Sequence, residues 1–370
     1  MAKAVHGEVQ ARGLVGAGLE VGLLALLRRH PLIWYFALAD GFSWLTLFLL
    51  AGWLALPAQL VVLVFSIGPA AAAVTMTAVC GGRRGVRDLL GRVLLWRLGA
   101  RWYVVALLGI PLVVLAATLL LPDAMASFSP MPPLRWLVTY AVVFVLAGLV
   151  GGALFEEVGW RGFALPRLEA RLGPLGGTLL LGGLWTVWHL PQYLVLPEWV
   201  EQNGGADAAS IGAFVLLVAA LAPLMTWLFN HTRGSVLIAT LAHASVNTAL
   251  VTVPAQLFPS VGSTLAPFAL AFTIVALVLT VVTRGRLGLP LAARAVTGSP
   301  ERRASVVHGR SVTGAAEVPG PCTPELPLCP PVARRKRPTA TWCGAPRAIP
   351  RSPHGRLPPA RCDGDATADA

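Results

Sequence analysis

The chain has 370 residues, of which 56% are hydrophobic and only 12% charged, with 12 tryptophans and a mean hydropathy of +0.70. Soluble domains carry about 25% charge, so the composition excludes an ordinary water-soluble enzyme. The net charge of +12 resembles a nucleic-acid signal, but it divides into 15 basic and 11 acidic side chains up to Val282 and 14 basic and 6 acidic from Thr283 onward. The excess belongs to a tail, and no nucleic-acid partner is expected.

Residues 1–31 read as an N-terminal cytoplasmic segment, not as a cleavable signal, because the apolar stretch begins late and continues into a full span. Gly16, Gly18 and Gly22 nearly form a dinucleotide fingerprint, but the last spacing is one residue too long and no strand–helix unit surrounds it. Apolar runs of spanning length, about 20 residues, then follow at Leu32–Leu50, Pro57–Val79, Trp102–Leu121, Leu134–Phe155, Leu175–Leu196, Ile211–Phe229, Ser235–Val253 and Leu265–Val282. The runs are continuous and do not alternate, so the fold class is all-α: a polytopic membrane helix bundle of about eight transmembrane helices over residues 32–282. Arg83 to Arg101 carries Leu89, Leu90, Val93, Leu94 and Trp96 on one side, the pattern of a helix lying on anionic headgroups.

Arginines set the expected orientation. Arg83, Arg84, Arg87, Arg92, Arg97 and Arg101 lie between the second and third runs; Arg161, Arg167 and Arg171 follow the fourth; Arg233 follows the sixth and Arg284 the eighth. The intervening connections hold Asp123, Glu198, Glu201 and Asp207, with Arg135 as the exception. The positive-inside rule then places both termini in the cytoplasm of a multi-pass cell-membrane protein. Residues 283–370 hold 14 prolines and the cluster Arg334-Arg335-Lys336-Arg337, the composition of a disordered basic tail that touches acidic lipids. Its four cysteines form no C-x-x-C pair, and Cys80 is the only cysteine before residue 300, so neither a disulfide framework nor a tail zinc site is expected.

Inside the membrane the ionisable groups carry the information, since each costs about 2.5–3.5 kcal/mol at mid-bilayer on insertion scales. The first cluster, Glu156-Glu157-Val158-Gly159-Trp160-Arg161, is expected at the cytoplasmic end of the fourth helix. Adjacent glutamates diverge by about 100° on a helix. Glu157 therefore pairs with Arg161 four residues on, and Glu156 points elsewhere as a candidate general base; the plain alternative is a solvated helix end. The second cluster, Trp185 to His189, is expected inside the fifth helix, with Pro191 freeing the Val187 carbonyl. The third, His243 and Asn247, shares one helical face and offers two donors for an oxyanion, or an interhelical clamp. The fourth helix ends in the cytoplasm and the fifth and seventh begin there, so all three clusters are expected in the cytoplasmic half. A base, two histidines and an amide in one low-dielectric pocket suit hydrolysis by an activated water; a proton or ion pathway would use similar groups.

These residues resemble the type II CAAX prenyl endopeptidases together with the bacteriocin-processing and immunity-type membrane proteases, the CPBP or Abi family. Its pattern is Glu-Glu-x-x-x-Arg, then an aromatic-x-x-x-His, then His-x-x-x-Asn, here Glu156, Glu157 and Arg161; Trp185 and His189; His243 and Asn247. The likeness covers about residues 80–255, and Trp185 stands where phenylalanine is commoner, a change expected to be harmless. The resemblance implies cleavage of a membrane-associated protein or peptide, prenylated C-termini among them, with the lipid bilayer as the other partner. It implies that Glu156 and His189 activate water, that His243 and Asn247 hold the oxyanion and that Glu157 and Arg161 position them. The family is often described as metalloproteases, and a metal-free water is argued for it too; Glu156, His189 and His243 could ligate zinc. Two other readings stay open: a non-catalytic scaffold or bacteriocin-immunity protein, and a proton-coupled transporter, against which the lack of an internal repeat counts.

Overall fold

The structure, a computed structural model, describes residue 22, residues 24–261 and residues 264–289. The chain divides into two units, Met1–Gly298 and Ser299–Ala370, and every described residue belongs to the first. Gly16, Gly18 and the expected basic tail from residue 290 lie outside the described residues.

Among the described residues every regular element is helical. They are α1 Pro31–Leu47, α2 Ala58–Val93, α3 Ala100–Leu119, α4 Pro133–Val143, α5 Leu154–Gly159, α6 Leu165–His189, α7 Gln192–Val195, α8 Pro197–Gln202, α9 Ala208–His231, α10 Val236–Thr252 and α11 Ala266–Val282. Wider π-helical stretches, Phe144–Ala153 and Trp160–Ala164, splice α4 to α5 and α5 to α6. Six helices are long and apolar enough to cross a membrane, and α11 is a further apolar helix of 17 residues. Each of the eight apolar runs therefore lies in helix.

One of the six, Pro133–Val195, is 63 residues long, about three times the length one crossing needs. It turns at Gly173, whose φ of 74° is accessible to glycine without a Cβ penalty. Pro174 follows, and its ring cannot continue the preceding helix. The expected exit at Phe155 is therefore corrected: the helix carries on through the Glu-Glu motif as far as Leu172. Its charges pair with one another inside the bundle, so the hydrophobic run stops where the helix does not. The fifth helix, expected to reach Leu196, ends at His189. Pro191 has no N–H for the Val187 carbonyl, which accepts instead from Leu190 N–H at 3.2 Å.

The bundle is organised around α10. In Val236–Leu257, 72% of the apolar window is buried, against 17% in Pro133–Val195, so α10 is the central post and α4 faces outward. α10 packs on Phe144–Ala153, α3 and α9, while α1 lies along α2 and α9 against α6 and α11. Close approach is built into the glycine-rich π-helical stretch: a Cβ at Gly148 would stand 2.6 Å from Thr248 Oγ1 and 2.8 Å from the Ala244 carbonyl. Two helices begin on side-chain caps. Ser235 Oγ accepts from Ile238 N–H on α10, and Asp207 Oδ1 accepts from Ala209 and Ser210 N–H on α9. The Ser210 hydroxyl and N–H hold the Asp207 carboxyl below the usual aspartate range. That cap is whole above the ordinary value of 3.8 and is lost as pH falls through the depressed one.

Candidate active site

Trp185 ties three clusters together. Its indole Nε1 donates to Glu156 Oε2 at 2.9 Å, and its carbonyl accepts from His189 Nδ1 at 2.9 Å. Its ring meets the His243 ring edge-on, with centroids 5.2 Å apart, and carries the Arg161 guanidinium 4.7 Å above its face. The position where tryptophan in place of phenylalanine was expected to be harmless is thus a hub, and its indole N–H supplies a hydrogen bond to Glu156 that a phenyl ring cannot. Trp160 Nε1 faces the same carboxylate oxygen at 3.5 Å.

The two glutamates diverge as expected, but neither is at a solvated helix end. Glu157 and Arg161 are fully buried and paired at 2.9 Å. The same oxygen, Glu157 Oε1, accepts from His243 Nδ1 at 2.9 Å across 86 residues of sequence. Carboxylate and carbonyl oxygens only accept, so in both histidines Nδ1 carries the hydrogen and Nε2 is the nitrogen left for chemistry. Gly152 makes room on the other side of Glu156: a Cβ there would stand 2.9 Å from Oε1. The π-helical stretches on either side of α5 set where these side chains point, a common use of π-turns at functional sites.

A cavity of about 1110 Å³ runs between these helices, and Glu156, His189, His243 and Asn247 all line it. Glu157 and Arg161 do not; they stand behind His243. The cavity reaches Gln59, Glu198 and Gln202, which are exposed, at the end of the bundle opposite the arginine-rich connections. The expectation that all three clusters occupy the arginine end fails on connectivity. His189 closes α6, about 22 Å beyond Pro174 at 1.5 Å per residue. Leu60, Leu146 and Val150 line it as well, and they are 45%, 64% and 38% exposed.

Residues 133–249 match the family described as Type II CAAX prenyl endopeptidase Rce1-like. This segment therefore resembles that family. It runs from the start of α4 into α10 and contains Glu156, Glu157, Arg161, His189, His243 and Asn247. The chain is also 29% identical over 103 residues to CAAX prenyl protease 2 of Methanococcus maripaludis, a stretch that is 28% of this chain and 38% of that protein. The matched stretch thus spans less than half of that relative.

Zinc was one expectation for Glu156, His189 and His243. Both histidines have the bonded Nδ1 of a metal ligand, but among the described residues no three His, Cys, Asp or Glu side chains converge tightly enough to hold one ion. The donor set as arranged does not fit zinc. Sequence reasoning passed over Trp160, Trp188 and Gln192, which contact Glu156 or line the cavity; Gln192 directly follows the proline after His189, and no pattern marked it. Trp185→Phe keeps the packing against His243 and removes the hydrogen bond to Glu156. The buried Glu156 carboxylate then loses its 2.9 Å donor, so unfolding in micelles should shift down by about 1–3 kcal/mol.

Proposed function

We propose that the chain is an intramembrane endopeptidase that hydrolyses a peptide bond of a membrane-associated protein or peptide. The observation that carries the reading is the convergence of Glu156, His189, His243 and Asn247 on one cavity, with three of them tied to Trp185. Glu156 is the general base: its carboxylate takes a proton from water, whose oxygen adds to the scissile carbonyl. His189 presents Nε2 to hold that water. The tetrahedral oxyanion is held by the Asn247 amide and, when protonated, by His243 Nε2; Glu157 is the counter-ion that makes such an imidazolium tolerable. The proton on Glu156 then passes to the leaving nitrogen as the C–N bond breaks. A low-dielectric cavity strengthens each of these interactions.

In this reading residues 32–282 form the catalytic domain with a family core near 80–255, and the prenylated CAAX-type chain named for the relative is one form of substrate. The arginine asymmetry supports, in the same reading, both termini in the cytoplasm of a cell-membrane protein and a cavity mouth toward the opposite face. The test is reconstitution. Purified protein in proteoliposomes should cleave an internally quenched, membrane-tethered peptide, and the rate should survive a chelator because no metal takes part in the steps above. Absence of cleavage for lipidated and unlipidated tethers alike would overturn the reading, and complete inhibition by chelator, restored by zinc, would replace its chemistry.

A further inference from the structure

α2 is two helices joined at a corner. From Ala58 to Gly81 it runs about 36 Å at 1.5 Å per residue, enough for one crossing. Gly82 then takes φ 56° and ψ −153°, and the chain turns. Thr77 and Gly85 would stand about 12 Å apart along a straight helix, yet a Cβ at Gly85 would lie 3.2 Å from the Thr77 carbonyl oxygen. Arg83–Val93 therefore leaves the axis of the span and folds back against its end.

The two sides of this short helix differ. Leu89 is 1% exposed and meets Gly162, where a Cβ would stand 2.8 Å from Leu89 Cδ1, and Arg92 Nη2 donates to the Gly162 carbonyl at 2.7 Å. Just beyond it, the Leu95 carbonyl accepts from Ser235 Oγ at 2.9 Å and the Arg97 carbonyl from Arg233 Nη2 at 2.7 Å. One side is thus fixed to the bundle. On the other, at spacings of four, three and four that share a helical face, stand Arg83, Arg87, Leu90 and Leu94. The two leucines are 50% and 70% exposed, and Trp96 beyond them is 61% exposed. Arg83, Arg84 and Arg87 are exposed, and among the described residues their guanidinium groups make no hydrogen bond or ion pair, not even with the neighbouring Asp88. Orientation in the membrane needs arginines on this side, but not their placement among exposed apolar side chains. Headgroups above and acyl chains below satisfy both kinds at once.

We infer that Arg83–Trp96 is a docking surface for anionic phospholipids. The guanidinium groups of Arg83, Arg84 and Arg87 hold negatively charged headgroups, for which their forked N–H donors are suited, while Leu90, Leu94 and Trp96 enter the upper acyl layer. A soluble polyanion would use the arginines and leave the apolar residues in water. None of these residues lines the cavity, so the surface stands whether or not the chain cleaves peptides.

Trp96 makes the surface readable. The full chain is placed in phosphatidylcholine bilayers to which phosphatidylglycerol or phosphatidylcholine is added, each with the same dibrominated acyl chains that quench tryptophan. The quenching that disappears in Trp96→Phe is the share reporting this face and no other basic segment. Half of that share should be quenched at about five-fold lower mole fraction of the brominated phosphatidylglycerol, the worth of one arginine near an anionic surface. The preference should fall below about two-fold at high salt. Arg83→Gln with Arg84→Gln and Arg87→Gln should bring the two lipids to parity, and lysine at the same three positions should keep the preference. Equal quenching by both lipids in the unaltered protein would overturn the surface and leave its arginines to topology alone. A preference that survives the triple glutamine variant would overturn their role. Relief of the phosphatidylglycerol quenching by a soluble oligonucleotide would give the face to a different polyanion and overturn the lipid assignment.

Discussion

Glu156→Gln should leave a folded, membrane-inserted protein whose kcat is lower by about a thousand-fold, within the range for removing a positioned general base. Glutamine keeps the length and shape of the side chain, and its carbonyl oxygen can still accept from Trp185 Nε1, so the 2.9 Å contact that holds it in place survives. What it loses is the ability to take a proton from water. Peptide cleavage and a melting curve on the same preparation check this: the expected result is a large fall in rate with superimposable unfolding. A rate within about ten-fold of the unaltered protein would move the base to another residue, His189 being the next group on the cavity wall.

The second large effect concerns folding. Arg161→Ala leaves Glu157 buried at 0% exposure without its cation and opens a void under Trp185. Breaking a buried pair from one side costs about 3–5 kcal/mol, which should appear as a marked shift of chemical unfolding in mixed micelles, together with loss of cleavage. The paired replacement Glu157→Leu with Arg161→Met removes both charges and fills the space, and most of the stability should return. Activity should not, because His243 Nδ1 then has no acceptor and its orientation is no longer set. Recovery of both together would show that Glu157 and Arg161 only pack.

Much of this was legible in the residues. Eight apolar runs announced the helices because backbone groups in a membrane must be satisfied within each segment, and the four-residue spacing of Glu157 and Arg161 announced their pair. His243 and Asn247 share a face and do line one cavity. Hydropathy failed where charges neutralise one another. It ended a helix at Phe155 that continues past six ionisable groups to Leu172, because it scores each charge alone and not its partner. The bond from Glu157 to His243 joins positions no local pattern relates. Trp185 was read only as an aromatic because its carbonyl and its indole N–H act on different neighbours, and neither job has a sequence signature.

One side of the cavity is lined by exposed apolar side chains. Leu60, Leu146 and Val150 line the chamber and are exposed, so part of its wall is made of accessible apolar side chains on the helices of a membrane bundle. Bilayer thickness and lateral pressure therefore bear directly on the chamber's shape, since a spanning segment adjusts to mismatch by tilting or deforming. Placed in membranes of different acyl length, one and the same polypeptide would present chambers of different shape.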